Sequence, residues 1–583
     1  MSAVEPGMNA ANRHSARLTR EEVAKLEIGP TAITRPRAWY LFSMFLLSIF
    51  AVPITEHVAH WRAHSPAADT RPLPRAYEVF ALLPAAVDAY RAAEGSLLDR
   101  VLTANRATLS SMQEYERLLE DESLFVQAVL PQTQWALTKA LRLGNESAYV
   151  GVKGWLFYRP EIEYVTGPPF LSPRQLKGRS LTAGSTTPVQ PDPRPAIMQF
   201  HKELAERGIR LVLMPTPVKP TIHPERFAAT GRAFDEPLHN QSYEAFKNEL
   251  ARAGVLVYDP TDVLIERKRA RKPVYLATDT HWTPMAMELV AENFAEWIAD
   301  QQLLSASMPV PYTRKPLKVA NVGDIAAMLR LPKKNPLFKR QRVQIRQVID
   351  EAAGLWRPAS SADVLVLGDS FSNIYSSVEM GWGESAGFVE QLSFHLKRPL
   401  DQITQNDGGA FATRQSLSRM LAQGRDRLAG KQLVIWQFAS RELAVGDWKL
   451  LDMKLGEPSE AGFLVAPMGG ELMVRGMIEA ISSAPLPGTV PYKDHILCVH
   501  LVDVEIQTPR DGLPPQASQC VVYLWSMRDN VRQSAAALRP GQELSLRLRP
   551  WSDVSERYDA INRSELADSE LQLEEPNWGE VVE

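Results

Sequence analysis

Cysteine is nearly absent: the 583 residues hold two, Cys498 and Cys520. No CxxC pair and no Cys/His group at metal-ligand spacing occurs, and His281 has no HExxH-type partner, so no metal is expected. A glycine-rich, phosphate-cradling loop is also missing, which leaves a soluble nucleotide-linked donor without a seat and calls for no cofactor. Charge of one sign is missing too. The 65 basic and 68 acidic side chains leave a net charge of -3. No long basic run with interleaved aromatics tracks along the chain, so nucleic acid is not an expected partner. Apolar residues make up 45% and charged ones 23%, values that exclude a polytopic membrane protein and a disordered chain. At this length at least two compact domains are expected.

One long apolar run is present. Ala38–Ile54, AWYLFSMFLLSIFAVPI, carries no charge, stands at the lower limit for a spanning helix, has the interfacial rings of Trp39 and Tyr40 at its start, and is preceded by Arg35 and Arg37. The preceding stretch is long for the n-region of a cleaved signal peptide, and no A-x-A site follows closely. The run therefore reads as an uncleaved signal anchor, with the tail in the cytoplasm and the remainder in the periplasm.

Beyond it, the stretch from about Ala81 to Leu143 carries apolar positions at helical spacing, and residues 55–145 read as a helical stalk or collar. Between Gly151 and Leu450, runs such as IRLVLMPTP, VLVYDP, ADVLVLGDS and KQLVIWQFAS alternate with amphipathic segments, the pattern of crossover units in a parallel sheet flanked by helices. From Glu457 short apolar strands with Pro/Gly punctuation suggest an all-β barrel or sandwich. Trp525, Trp551 and Trp578 there read either as sugar-stacking platforms or as core aromatics. Cys498 and Cys520 lie in two of those strands; a disulfide and two free buried thiols both fit. The resulting organisation is 1–36 cytoplasmic tail, 37–54 transmembrane anchor, 55–145 stalk or collar, 146–455 α/β catalytic domain and 456–583 β-rich domain, the last possibly contacting carbohydrate.

Chemistry concentrates in two short motifs. The strand ADVLVLGDS delivers Ser370 to a strand-to-helix corner, where its hydroxyl projects from the sheet edge and backbone N–H groups lie close by. Such a serine is a nucleophile or simply a helix cap. In ATDTHWTP, Asp279 and His281 flank one residue, so a carboxylate can fix the imidazole tautomer; a surface Asp beside a satisfied His is the plainer alternative.

Four features, GVKGWLFYRPEIEYVTG (Gly151–Gly167), LVLMPTPVKPTIHPE (Leu211–Glu225), TDTHW (Thr278–Trp282) and VLGDSFS (Val366–Ser372), together resemble the SGNH-hydrolase-like polysaccharide O-acetyltransferases of the AlgJ/AlgX type. The resemblance implies an SGNH fold in permuted order, with the Asp-x-His pair ahead of the nucleophile, and the roles of nucleophile for Ser370, base for His281 and base-orienting acid for Asp279. It further implies oxyanion donors, for which Gly381 (or Gly383) and Asn406 are the candidates, and substrate contacts, for which Trp282 and Arg441 are; Arg441 reads equally as half of a structural ion pair. The implied activity is transfer of acetyl groups to an exopolysaccharide through an acetyl-serine, with a multispanning membrane O-acyltransferase as donor partner. A polysaccharide acetylesterase and a non-catalytic scaffold of a secretion complex are the alternatives.

Overall fold

The computed structural model describes residues 34–63, 87, 90–91, 96–182, 189–228, 236–332, 337–351, 353–376, 380–406, 409–422, 424–456, 462–485, 490, 492–507, 517–538, 542–566 and 571–582. Most of the tail assigned to 1–36 and part of the stalk lie outside these residues. The chain divides into two compact units, Met1–Val126 and Gln127–Glu583.

In the first unit a 29-residue helix covers Arg35–Ala63. Among the described residues, however, no helix is long and apolar enough to cross a membrane. The transmembrane anchor, and the single-pass inner-membrane placement that depended on it, are corrected accordingly. The physical reason is length and dilution. The uncharged run Ala38–Ile54 has 17 residues, about 26 Å of helix against a hydrocarbon layer of about 30 Å. Trp39, Tyr40, Ser43, Ser48 and Pro53 lower its hydropathy, and Glu56, His57 and His60 follow in the same helix. A second helix of this unit spans Leu97–Glu122.

The second unit is built on a five-stranded parallel sheet. In chain order the strands of its α/β part are β1 (Ala148–Val150), β2 (Leu156–Tyr158), β3 (Arg210–Thr216), β4 (Leu256–Val257), β5 (Thr313–Asn321), β6 (Gln341–Ile349), β7 (Val364–Gly368), β8 (Asp401–Thr404) and β9 (Leu433–Ala439). The sheet order is β4-β3-β9-β7-β8, while β1/β2 and β5/β6 are separate antiparallel pairs. Central strands β7 and β9 are buried at every position, which is why VLVLG and LVIWQFA read as continuous apolar runs and not as alternating ones. Successive side chains still point to opposite faces. Val364, Val366, Leu433 and Ile435 enter one core with the helices Pro284–Asp300 and Phe388–Leu396. Leu365, Leu367, Val434 and Trp436 enter the other, under Pro193–Glu206, Tyr243–Arg252 and Ala412–Ala422.

The C-terminal strands β10 (Leu472–Ile481), β11 (His495–Ile506), β12 (Gln519–Arg528), β13 (Val531–Arg532), β14 (Glu543–Pro550), β15 (Asn562–Ser564) and β16 (Asn577–Val581) form one sheet. Because β12 pairs with both β16 and β11, the ring β11-β12-β16-β14-β10 closes into a barrel. Arg419 of the helix Ala412–Ala422 reaches across to this barrel, donating to the Tyr523 hydroxyl at 2.8 Å and pairing with Glu565 at 3.1 Å.

Cys498 lies opposite Tyr523 and Cys520 opposite Leu501. The two cysteines belong to clusters on opposite faces of the sheet, Cys520 with the barrel interior and Cys498 with Tyr523, Trp551 and Trp578. Both are free thiols. Burial pushes the Cys520 thiol up to about 12 and Cys498 well above its ordinary value. Both thiols should therefore resist alkylation in the folded protein and react only in denaturant; a bridged peptide pair in a non-reducing digest would contradict this arrangement. Trp551 and Trp578 are buried, and Trp525 packs edge-on against Trp578 at 5.5 Å, so these rings serve as core between sheet and flanking segments.

Candidate active site

The site is assembled around a buried lysine. Lys219, at the start of the helical turn that follows β3, is fully enclosed, and its ammonium donates to the carbonyls of Leu156 (2.6 Å), Ala277 (3.0 Å) and Asp279 (2.7 Å). One side chain thus ties the GWLFY segment, the KPTI turn and the TDTHW loop together. Burial pushes its pKa down to about 8, against the opposing charges of Glu161, Asp324 and Asp279.

In the TDTHW loop, Asp279 Oδ1 accepts from the His281 backbone N–H at 3.1 Å and pairs with His281 Nδ1 at 2.7 Å. Its Oδ2 accepts from the Asp324 backbone N–H (3.1 Å) and the Trp382 indole N–H (2.8 Å). Burial would raise this carboxyl, but the bond and charge of His281 and the Trp382 N–H hold it below its ordinary value. Burial likewise opposes an imidazolium at His281, yet the bond to Asp279, its charge, and the charges of Asp324 and Asp369 outweigh burial and raise the His281 pKa. The opposite ring nitrogen, Nε2, is buried and has no hydrogen-bond partner.

Ser370 opens a short helical turn directly after β7. Asp369 fixes that corner: its carboxylate accepts from Phe371 N (2.9 Å), Gln437 Nε2 (2.8 Å) and Ala439 N (2.6 Å), so it is consumed in structure. Ser370, His281 and Asp324 line one cleft of about 290 Å³. Asn406 and Arg441 line it as well, as do Val490 and Tyr492 from the C-terminal β-rich part. Asn406 accepts from Asn373 Nδ2 through its Oδ1 at 2.8 Å, which leaves its Nδ2 as the remaining donor. Arg441 pairs with Glu161 at 3.2 Å and lies over the Tyr158 ring at 5.5 Å. Burial pushes Glu161 up to about 7, with Arg441 and Lys219 opposing.

Two residues singled out in the sequence sit elsewhere. Trp282 is fully buried: its indole N–H donates to the Phe371 carbonyl at 3.1 Å and its ring meets Phe371 edge-on, so it supports the Ser370 corner from beneath and offers no face to a sugar. Gly381 is not a cleft residue. Its φ of +76° suits glycine, and a Cβ there would collide with the Asn321 amide. The loop expected to supply an oxyanion donor through Gly381 instead supplies Trp382 to Asp279. Asp324, Lys219, Trp382 and Tyr492 were not found from the sequence. Their partners lie far along the chain, and only the Gly-Asp step after β5 marked a tight corner: at Gly323, φ +94°, a Cβ would strike the Thr278 carbonyl.

Asp279, His281 and Asp324 are the one group among the described residues whose ligand atoms gather within 4.8 Å, the spacing a metal ion would need. Three of the four oxygens, however, are already taken as acceptors: both of Asp279 by four N–H groups and Asp324 Oδ1 by Thr280 N and Ile325 N. N–H donors aimed at these oxygens suit a hydrogen-bonded acid–base group and not a cation.

Residues 148–440 match the family model described as "SGNH hydrolase-like domain, acetyltransferase AlgX". Among curated relatives, the protein described as "Probable alginate O-acetylase AlgJ" of Pseudomonas aeruginosa is 29% identical over 313 residues, covering 52% of this chain and 71% of that protein. Its namesake from Pseudomonas putida is 27% identical over 317 residues, covering 52% and 72%. Among solved structures, the O-acetyltransferase domain of Pseudomonas putida AlgJ aligns with a TM-score of 0.39 at 23% identity, covering 52% of this chain and 93% of that one. Pseudomonas aeruginosa AlgX aligns with a TM-score of 0.37 at 15% identity, covering 69% and 91%. With half of its length accounted for by the family model, the chain belongs to the SGNH hydrolase-like, AlgX-type acetyltransferase family.

Proposed function

We propose that this protein transfers acetyl groups to hydroxyls of an exopolysaccharide through an acetyl-serine at Ser370. The observation that carries this reading is the state of His281: Nδ1 held by Asp279, Nε2 without a partner, in the cleft that Ser370 also lines. In the first half-reaction Nε2 takes the Ser370 proton as Oγ attacks the acetyl carbonyl. The imidazolium, stabilised by Asp279, then gives that proton to the leaving group. In the second half-reaction the base takes the proton of a sugar hydroxyl, which attacks the acetyl-serine carbonyl, and the imidazolium returns that proton to Ser370 Oγ as it leaves. Asn406 Nδ2 is the candidate oxyanion donor. Arg441, Tyr158 and Tyr492 form the wall against which the acceptor would lie. The relatives' descriptions name alginate, so a polyuronate of that kind is the first acceptor to test, and a multispanning membrane O-acyltransferase is the donor partner this reading calls for.

The test uses purified full chain, p-nitrophenyl acetate as donor and deacetylated alginate oligosaccharides as acceptor. Expected is a gain of one acetyl group per transfer event on the oligosaccharide, together with fluorophosphonate labelling at Ser370. Acetate release with no acetylated sugar would replace transferase by esterase, and a folded protein that neither labels nor turns over would leave a scaffold.

A further inference from the structure

Two carboxylates face the same edge of His281. Asp279 is hydrogen-bonded to Nδ1 at 2.7 Å, and Asp324 Oδ2 lies 3.7 Å from that same nitrogen. Asp324 is not placed there loosely. Its Oδ1 accepts from Thr280 N at 2.7 Å and Ile325 N at 2.6 Å, its own backbone N–H donates to Asp279 Oδ2 at 3.1 Å, and the loop carrying it is locked to the TDTHW loop by Thr278 Oγ1 donating to the Val322 carbonyl at 2.5 Å. Gly323 permits this approach because no Cβ stands between the two loops. With Oδ1 spent, Oδ2 is the oxygen left to face the imidazole.

We propose that Asp324 is a second positioning carboxylate for His281, adding negative charge at the Nδ1 edge and accepting the Nδ1 proton when Asp279 cannot. The proposal rests on the reading of His281 as base. Other charged groups around this imidazole are Asp369 at the nucleophile corner, Glu161 on the helix after β2, and Lys219 beneath the loop. Neither Asp369 nor Glu161 lies within 4.0 Å of Nδ1, whereas Asp324 Oδ2 does, at 3.7 Å. Burial and the Asp279 charge push the Asp324 carboxyl up to about 6, so it gains its full charge only as pH rises through that value. Negative charge beside an imidazole favours the imidazolium, and losing it lowers the His281 pKa.

Asp324→Asn keeps an oxygen for Thr280 N and Ile325 N while removing the charge. In a Ser370→Ala background, His281 titration followed by NMR should move to lower pH by about one unit on adding Asp324→Asn. In the otherwise natural chain, the acid limb of kcat/KM should move the same way while its plateau falls by about tenfold. Combining Asp324→Asn with Asp279→Asn should cost more than the product of the single losses, because each acid covers for the other. A His281 titration that stays in place, or strictly multiplicative losses, would overturn the proposal. Should the Asn variant melt early, the natural chain serves: the His281 resonances should show a second inflection from Asp324, and a single-step curve would overturn the proposal equally. If instead Ser370→Ala retains full activity, the reading of the site falls, a result distinct from either of these.

Discussion

Ser370→Ala should lower acetyl transfer by about 10⁴-fold or more while leaving the fold intact. The hydroxyl removed belongs to the serine of that corner that lines the cleft with His281, whereas Asp369 is spent on three hydrogen bonds and Ser372 donates its hydroxyl to Gln437 Oε1 at 2.7 Å. His281→Ala should cost a similar amount. The double variant should lose little beyond the worse single change, because nucleophile and base act in one proton transfer. Multiplicative losses would mean that the two side chains act in separate steps. Initial rates check the expectation, with circular dichroism as the folding control.

Lys219→Met should be the most destabilising single change at the site, by about 3–5 kcal/mol. The substitution removes the donor shared by Leu156, Ala277 and Asp279 and takes one buried positive charge away from the carboxylates of Asp279, Asp324 and Glu161, leaving them only His281 and Arg441. With its pKa near 8, Lys219 remains protonated at neutral pH, so the full interaction is at stake there. Urea unfolding of both proteins measures the difference. Because Lys219 also holds the TDTHW loop, activity should fall in molecules that are still folded; a variant as stable as the natural chain would show that the three carbonyls are satisfied without it.

The parts of the site legible in the sequence are those written in local grammar. An apolar strand ending in Gly-Asp-Ser marks a corner, and a one-residue spacing brings Asp279 to His281. The parallel sheet was legible for the same reason, since VLVLG and LVIWQFA are runs that a strand covered on both faces requires. What the sequence concealed depends on tertiary contact. Trp282 follows His281 and looks available to a sugar, yet burial against Phe371 is decided by a corner 89 residues away. Asp324, between β5 and β6, and Trp382, in the loop between the Ser370 turn and the helix Phe388–Leu396, meet Asp279 only through tertiary contact. Cys498 and Cys520 sit in paired strands, but side-chain direction along a strand alternates, and the actual register places them on opposite faces. The run at Ala38–Ile54 is uncharged like a spanning helix, but its length and apolarity fall short of one.

The most direct test is to trap the intermediate. Full-length protein incubated with p-nitrophenyl acetate and no sugar acceptor, quenched in acid and digested, should carry one acetyl group on the peptide containing Ser370, and adding deacetylated alginate oligosaccharide before the quench should discharge it onto the sugar. An acetyl group on a different residue, or transfer to sugar by a protein whose Ser370 is never acetylated, would contradict the account.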